Sequence, residues 1–80
     1  LFNWAGEIAS DGDVSIQSTS DIDNYMGKIE SSKTVSITGR DMNTSQSGIN
    51  GGAGVNIALN NYYSRLGVIT SVNGDVTIKA

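Results

Sequence analysis

The sequence predicts an all-β protein wound as a parallel β-helix, a β-solenoid of about four coils of 20–21 residues. Three observations predict it. Apolar residues return at one spacing in three separate registers, the one-residue departures from that spacing fall where turns belong, and the composition favours strands and turns over helices.

The first register is a Val-x-Ile motif: Val14 and Ile16, Val35 and Ile37, Val55 and Ile57, Val76 and Ile78, at separations of 21, 20 and 21. The second is Ile8, Ile29, Ile49 and Ile69, at 21, 20 and 20. Leu1, Ile22, Met42 and Tyr62 make the third, again at 21, 20 and 20. One extra residue falls between Gln17 and Asp21 and the other between Thr70 and Asp75. A turn absorbs an insertion, whereas a strand would have every following side chain flipped to the other face.

Each unit thus holds three short strands divided by Gly, Ser, Asn and Asp clusters that read as turns. The units run over approximately residues 1–21, 22–41, 42–61 and 62–80. A single unit has too few inward side chains to offset the entropy of ordering its main chain. Stacking supplies the missing burial, because equivalent strands pair above and below at about 4.8 Å and like side chains pile into columns. A small sandwich or meander also accepts several short strands, but it does not require the same register at every fourth strand.

Composition narrows the function. The 80 residues carry a net charge of −3, with 16% charged and 38% hydrophobic residues, a balance that suits neither a charged disordered tail nor a helical bundle. Cysteine and histidine are absent, which removes disulfides, thiol nucleophiles and the usual zinc, haem and iron–sulfur ligands, so no cofactor is expected. The five basic residues are scattered and argue against a nucleic-acid footprint. No apolar run reaches the roughly 18 residues of a membrane span. The chain starts at Leu1 with the repeat already in phase, so a fragment of a longer filament is expected.

Several columns raise sharper questions. Asn3, Asn24, Thr44 and Ser64 share one, and the short polar side chains are read as a structural ladder that fixes a bend, in preference to a binding ladder. Gly6, Gly27 and Gly67 share another, broken by Ser47, and a corner needing positive φ or close main-chain approach accounts for them. The run NGGAG lacks the lysine of a phosphate-binding loop and is read as a turn. Asp11, Asp13 and Asp23, with Asp21, Asp41 and Asn61, suggest calcium, yet the nonapeptide that binds calcium between coils is missing, so solvated turn carboxylates are the better reading. Glu7 and Lys28 share an outward column and are expected to pair. Phe2, Trp4, Tyr25 and Tyr63 form an outward aromatic strip, a candidate surface contact.

The unit running apolar-x-Asn-x-x-Gly-x-Ile-x-Ser and then Val-x-Ile, carried by LFNWAGEIAS with VSI and by DIDNYMGKIESS with VSI, resembles the haemagglutinin repeat. That repeat builds filamentous haemagglutinin and contact-dependent growth-inhibition exoproteins, members of the two-partner secretion family. The third and fourth units match more loosely, with DMNTSQSGINGG lacking Asn and Gly at their columns and Ser64 standing for Asn. The resemblance implies a right-handed β-helical shaft, exported through an outer-membrane transporter partner and displayed at the bacterial cell surface as an adhesin or toxin-delivery protein. It implies no catalytic residues in the shaft, and any host or bacterial receptor would be met by other regions.

Three other functions fit less well. A polysaccharide-degrading β-helix needs clustered acids on one face, whereas Glu7, Glu30 and Asp75 fall in columns without matching partners. Ice binding needs a regular threonine array, but Ala9, Glu30, Asn50 and Thr70 make a mixed column. A phage or tailocin fibre would be favoured by a three-chain assembly.

Overall fold

The chain folds as a parallel β-solenoid. The computed structural model describes residues 3–63 and 67–80, with Tyr63 described by its main chain alone. Strands β1 (Glu7–Ser10) and β2 (Val14–Gln17) come first. The next coil holds β3 (Ile22–Asp23), β4 (Lys28–Ser31) and β5 (Thr34–Thr38), and the one after it β6 (Asp41–Asn43), β7 (Gly48–Gly51) and β8 (Gly54–Ala58). The last holds β9 (Asn61–Tyr63), β10 (Val68–Thr70) and β11 (Val76–Lys79). No helix occurs among the described residues.

Three parallel sheets wrap one core, in the orders β1-β4-β7-β10, β2-β5-β8-β11 and β3-β6-β9. Their register is the one the periodicity predicts. Ile8 pairs with Ile29, Ile29 with Ile49 and Ile69 with Ile49, while Val14, Val35, Val55 and Val76 pair in sequence, as do Ile22, Met42 and Tyr62. Because side chains alternate along a strand, this register sends every Val-x-Ile pair inward and the residue between them outward.

The core is therefore a set of columns, with Ile29, Val35, Ile37, Met42, Ile49, Val55 and Ile57 all but sealed from solvent. Burial fades toward the C-terminal coil: Ile37 is 1% exposed, whereas its column mate Ile78 is 41% exposed. Leu59 joins the core from a column whose previous member is Gly39, and a side chain added at Gly39 would meet Ile22 Cδ1 at 2.7 Å and Leu59 Cδ2 at 3.5 Å. One large residue thus shares the space with an absent one.

Main-chain bonds between coils continue through the corners as well as the strands. Asn24 N–H donates to Asn43 O at 2.7 Å, Met26 N–H to Ser45 O at 3.1 Å, and Ala53 N–H to Lys33 O at 2.7 Å. The turns are stacked like the strands, which leaves few main-chain polar groups orphaned within a coil.

Candidate functional site

The first corner of each coil is where sequence and geometry are most closely matched. Asn3 Nδ2 donates to Asn24 Oδ1 at 2.7 Å, and Asn24 Nδ2 donates to Thr44 Oγ1 at 3.1 Å and to Ser47 Oγ at 3.4 Å. Asn24 is 0% and Thr44 1% exposed, so the ladder is sealed inside the solenoid at these two members, with Asn3 half-buried. Ser64, its fourth expected member, lies outside the described residues.

The glycines at this corner serve close approach. A Cβ at Gly27 would lie 2.1 Å from Asn3 O and 2.5 Å from Asn24 Oδ1, and one at Gly6 would lie 2.5 Å from Asn3 Oδ1. The positive φ falls one residue earlier, at Ala5 (54°), Met26 (56°) and Gln46 (53°). In the third coil Ser47 breaks the glycine column because Thr44 is shorter than Asn. The Ser47 hydroxyl bonds to the Thr44 hydroxyl and donates to Thr44 O.

A second corner uses serine in the same way. Ser10 Oγ accepts from Gly12 N–H at 3.0 Å and Ser31 Oγ accepts from Lys33 N–H at 2.9 Å, while the Ser31 hydroxyl donates to Gly12 O in the coil below. Gly51 takes this column in the third coil, where a Cβ would stand 2.1 Å from Gly54 O. NGGAG is accordingly the end of β7, a turn at Gly52 and Ala53, and the first residue of β8.

The carboxylates serve structure too. Asp23 Oδ1 accepts from Tyr25 N–H at 3.1 Å, a bond repeated one coil on by Asn43 Oδ1 with Ser45 N–H at 3.0 Å. Asp13 Oδ1 accepts from Thr34 N–H at 3.2 Å and Asp41 Oδ1 from Asn61 Nδ2 at 3.1 Å. Asp21 pairs with Arg40, whose Nε donates to Oδ1 at 2.9 Å, and this hydrogen bond and the guanidinium charge hold the Asp21 carboxyl below its ordinary range. Among the described residues no group of three or more acids converges as a metal site would require.

On the outer face, Glu7 and Lys28 are partners in the strand register, but the ion pair is Lys28 Nζ to Glu30 Oε2 at 3.5 Å within β4. The two residues two apart on one strand point the same way, so Lys28 meets Glu30 without leaving its own coil. Of the aromatic strip, Trp4 is 56% exposed and Tyr25 half-buried, with Met26 beside them at 49% exposure. Phe2 and the Tyr63 side chain lie outside the described residues.

An open groove of about 580 Å³ runs beside β1, β4 and β7. Asp11 and Glu30 are the ionisable residues that line it, and the Glu30 carboxylate is already engaged by Lys28. Acid–base or glycosyl-transfer chemistry needs a second group of matched and opposite role at the reacting atom. The lining provides these two carboxylates and the hydroxyls of Ser10, Ser31 and Ser32, of which Ser10 and Ser31 are engaged in closing turns. Comparison with family models, with curated proteins and with solved structures finds no match to the chain.

Proposed function

We propose that these coils are a shaft segment of a secreted, surface-displayed filament of the haemagglutinin-repeat kind, an adhesin or toxin-delivery exoprotein. Their contribution is reach and presentation in cell adhesion or contact between bacteria. Such a segment is not an enzyme, uses no cofactor, and leaves receptor binding to other regions of the filament. It reaches the bacterial cell surface through an outer-membrane transporter partner.

The observation that carries this reading is the inward use of the repeated polar residues. Asn3, Asn24 and Thr44 bond coil to coil inside the solenoid, and the repeated serines and aspartates close turns. A chain selected for length repeats what joins each coil to the next.

The experiment is to raise antibodies against the 80-residue chain and probe the cells that make it. The expected result is surface labelling of intact cells, a labelled polypeptide far longer than this chain, and loss of surface label when the outer-membrane transporter is deleted. Label confined to phage or tailocin particles would replace the proposal with a fibre. Polysaccharide cleavage by the purified native polypeptide, abolished by substitutions at Asp11 and Glu30, would replace it with an enzyme.

A further inference from the structure

Two Asn–Gly dipeptides occur in the sequence, Asn50–Gly51 and Asn73–Gly74. With no side chain on the second residue, its main-chain nitrogen can approach the carboxamide carbon of the first and close a five-membered succinimide. Ring closure requires the dipeptide to leave the extended conformation, so its rate depends on what holds the main chain.

The solenoid places the two dipeptides in opposite settings. Asn50 and Gly51 belong to β7, where Asn50 is in register with Glu30 on one side and Thr70 on the other, and Gly51 is buried opposite Ser31. Closing a ring there would break the ladder toward neighbouring coils. Asn73 and Gly74 lie between β10 and β11, both exposed, in the segment that also carries the extra residue of the last coil. Asn73 N–H donates to Gly52 O at 2.9 Å, but Gly74 N–H donates to no acceptor among the described residues. The stack itself demands this glycine: a Cβ at Gly74 would lie 1.9 Å from Ala53 O. The residue that makes Asn73 reactive is thus one the coil below does not allow to change.

We propose that Asn73 is a site of spontaneous covalent modification, deamidating to aspartate and isoaspartate, while the β7 ladder protects Asn50. The Gly74 nitrogen loses its proton and attacks Asn73 Cγ; the Cγ–Nδ2 bond breaks and the amide nitrogen leaves as ammonia, carrying that proton. Water then adds to either carbonyl of the succinimide. Cleavage at Cγ gives aspartate and cleavage at the main-chain carbonyl carbon gives isoaspartate, which inserts one methylene into the chain. The insertion falls in a turn, outside the Val76 to Val55 register, so the coil keeps its pairing and gains a negative charge near Asp75.

Tryptic cleavage separates the two sites, because Asn50 falls in the peptide Asp41–Arg65 and Asn73 in the peptide Leu66–Lys79. The folded 80-residue chain, incubated at mildly alkaline pH and mapped by mass spectrometry and isoaspartate-resolving chromatography, should convert Asn73 about tenfold or more faster than Asn50. In guanidinium chloride the two rates should converge. Asn73→Gln should abolish conversion in its peptide and leave the circular dichroism of the fold unchanged. Equal rates in the folded chain would overturn the proposal. So would an Asn73 as slow as Asn50 until the chain is unfolded, or conversion that persists in its peptide after Asn73→Gln.

Discussion

Thr44 and Ser47 share a hydrogen bond between their hydroxyls across the corner of the third coil, and together they fill the space that Asn24 fills alone over Gly27 in the second. One corner is thus built in two ways within a single chain: a long carboxamide over a bare α-carbon, or two short hydroxyls. Both solutions satisfy the same buried positions, and a carboxamide facing a Cβ does not fit, since a Cβ at Gly27 would lie 2.5 Å from Asn24 Oδ1.

That exclusivity is measurable. Thr44→Asn alone places a carboxamide where the Ser47 side chain already stands and should destabilise the chain, whereas adding Ser47→Gly should restore it. The double-mutant cycle, read by urea denaturation, is expected to give a coupling of about 1–3 kcal/mol favouring the matched pair. Additive single effects would show that the two positions are independent.

Asn24→Ala removes a buried donor and acceptor at once and takes one partner each from Asn3 Nδ2, which keeps Lys28 O at 3.3 Å, and from Thr44 Oγ1, which keeps Ser47 Oγ. The expected loss is about 2–3 kcal/mol, from the lost bonds and the space left at a fully buried position. Substitution of the exposed Ser15, on the outer face of β2, should change stability by less than about 0.5 kcal/mol in the same denaturation measurement.

Columns that look identical in sequence should respond unequally. Ile37→Ala opens a cavity between Ile16 and Ile57 and is expected to cost about 2–5 kcal/mol, while Ile78→Ala, at an open face with 41% exposure, should cost markedly less. Thermal melts of the two variants check this. Ile37→Asp or Ile29→Asp should unfold neighbouring coils outright, seen as loss of the β signal and of the cooperative melt.

The Asp21 carboxyl is held below its ordinary value first by the hydrogen bond from Arg40 and then by the guanidinium charge. A carboxylate depressed in the folded state favours folding at pH above its unfolded pKa, and that contribution is lost as pH falls through the folded pKa. Carboxyl-carbon NMR titration should show Arg40→Gln returning Asp21 toward the ordinary carboxylate range. Both side chains are more than half exposed, so about 1 M salt should shrink the shift in the parent chain.

The solenoid was legible because its determinants repeat: three apolar registers agree in period, and period is what a stack demands. What escaped the sequence reading did not repeat. Ser47 stood as an exception to a glycine column until Thr44 was seen to be its cause, since the compensation acts between two columns within one coil. Leu59 had no repeating signature because the core volume it fills is left empty by Gly39 in the coil before. Positive φ belongs to Ala5, Met26 and Gln46, which share no residue type, while the glycines that follow answer to a neighbour's carbonyl or carboxamide oxygen. Glu7 and Lys28 were matched by column, but side-chain reach within β4 gave Lys28 a nearer acid in Glu30.

Nearly every main-chain bond that joins one coil to the next lies along the axis of the stack, while the chain itself runs around it. A tension applied along that axis is borne equally by every coil-to-coil interface, and the outermost coil, held on one side only, yields first. Under load such a rod lengthens by peeling, one turn at a time, each turn releasing a chain of about 20 residues and about 70 Å of length. A stack of these coils is a reel that gives under a pull in near-equal increments and leaves the inner turns wound.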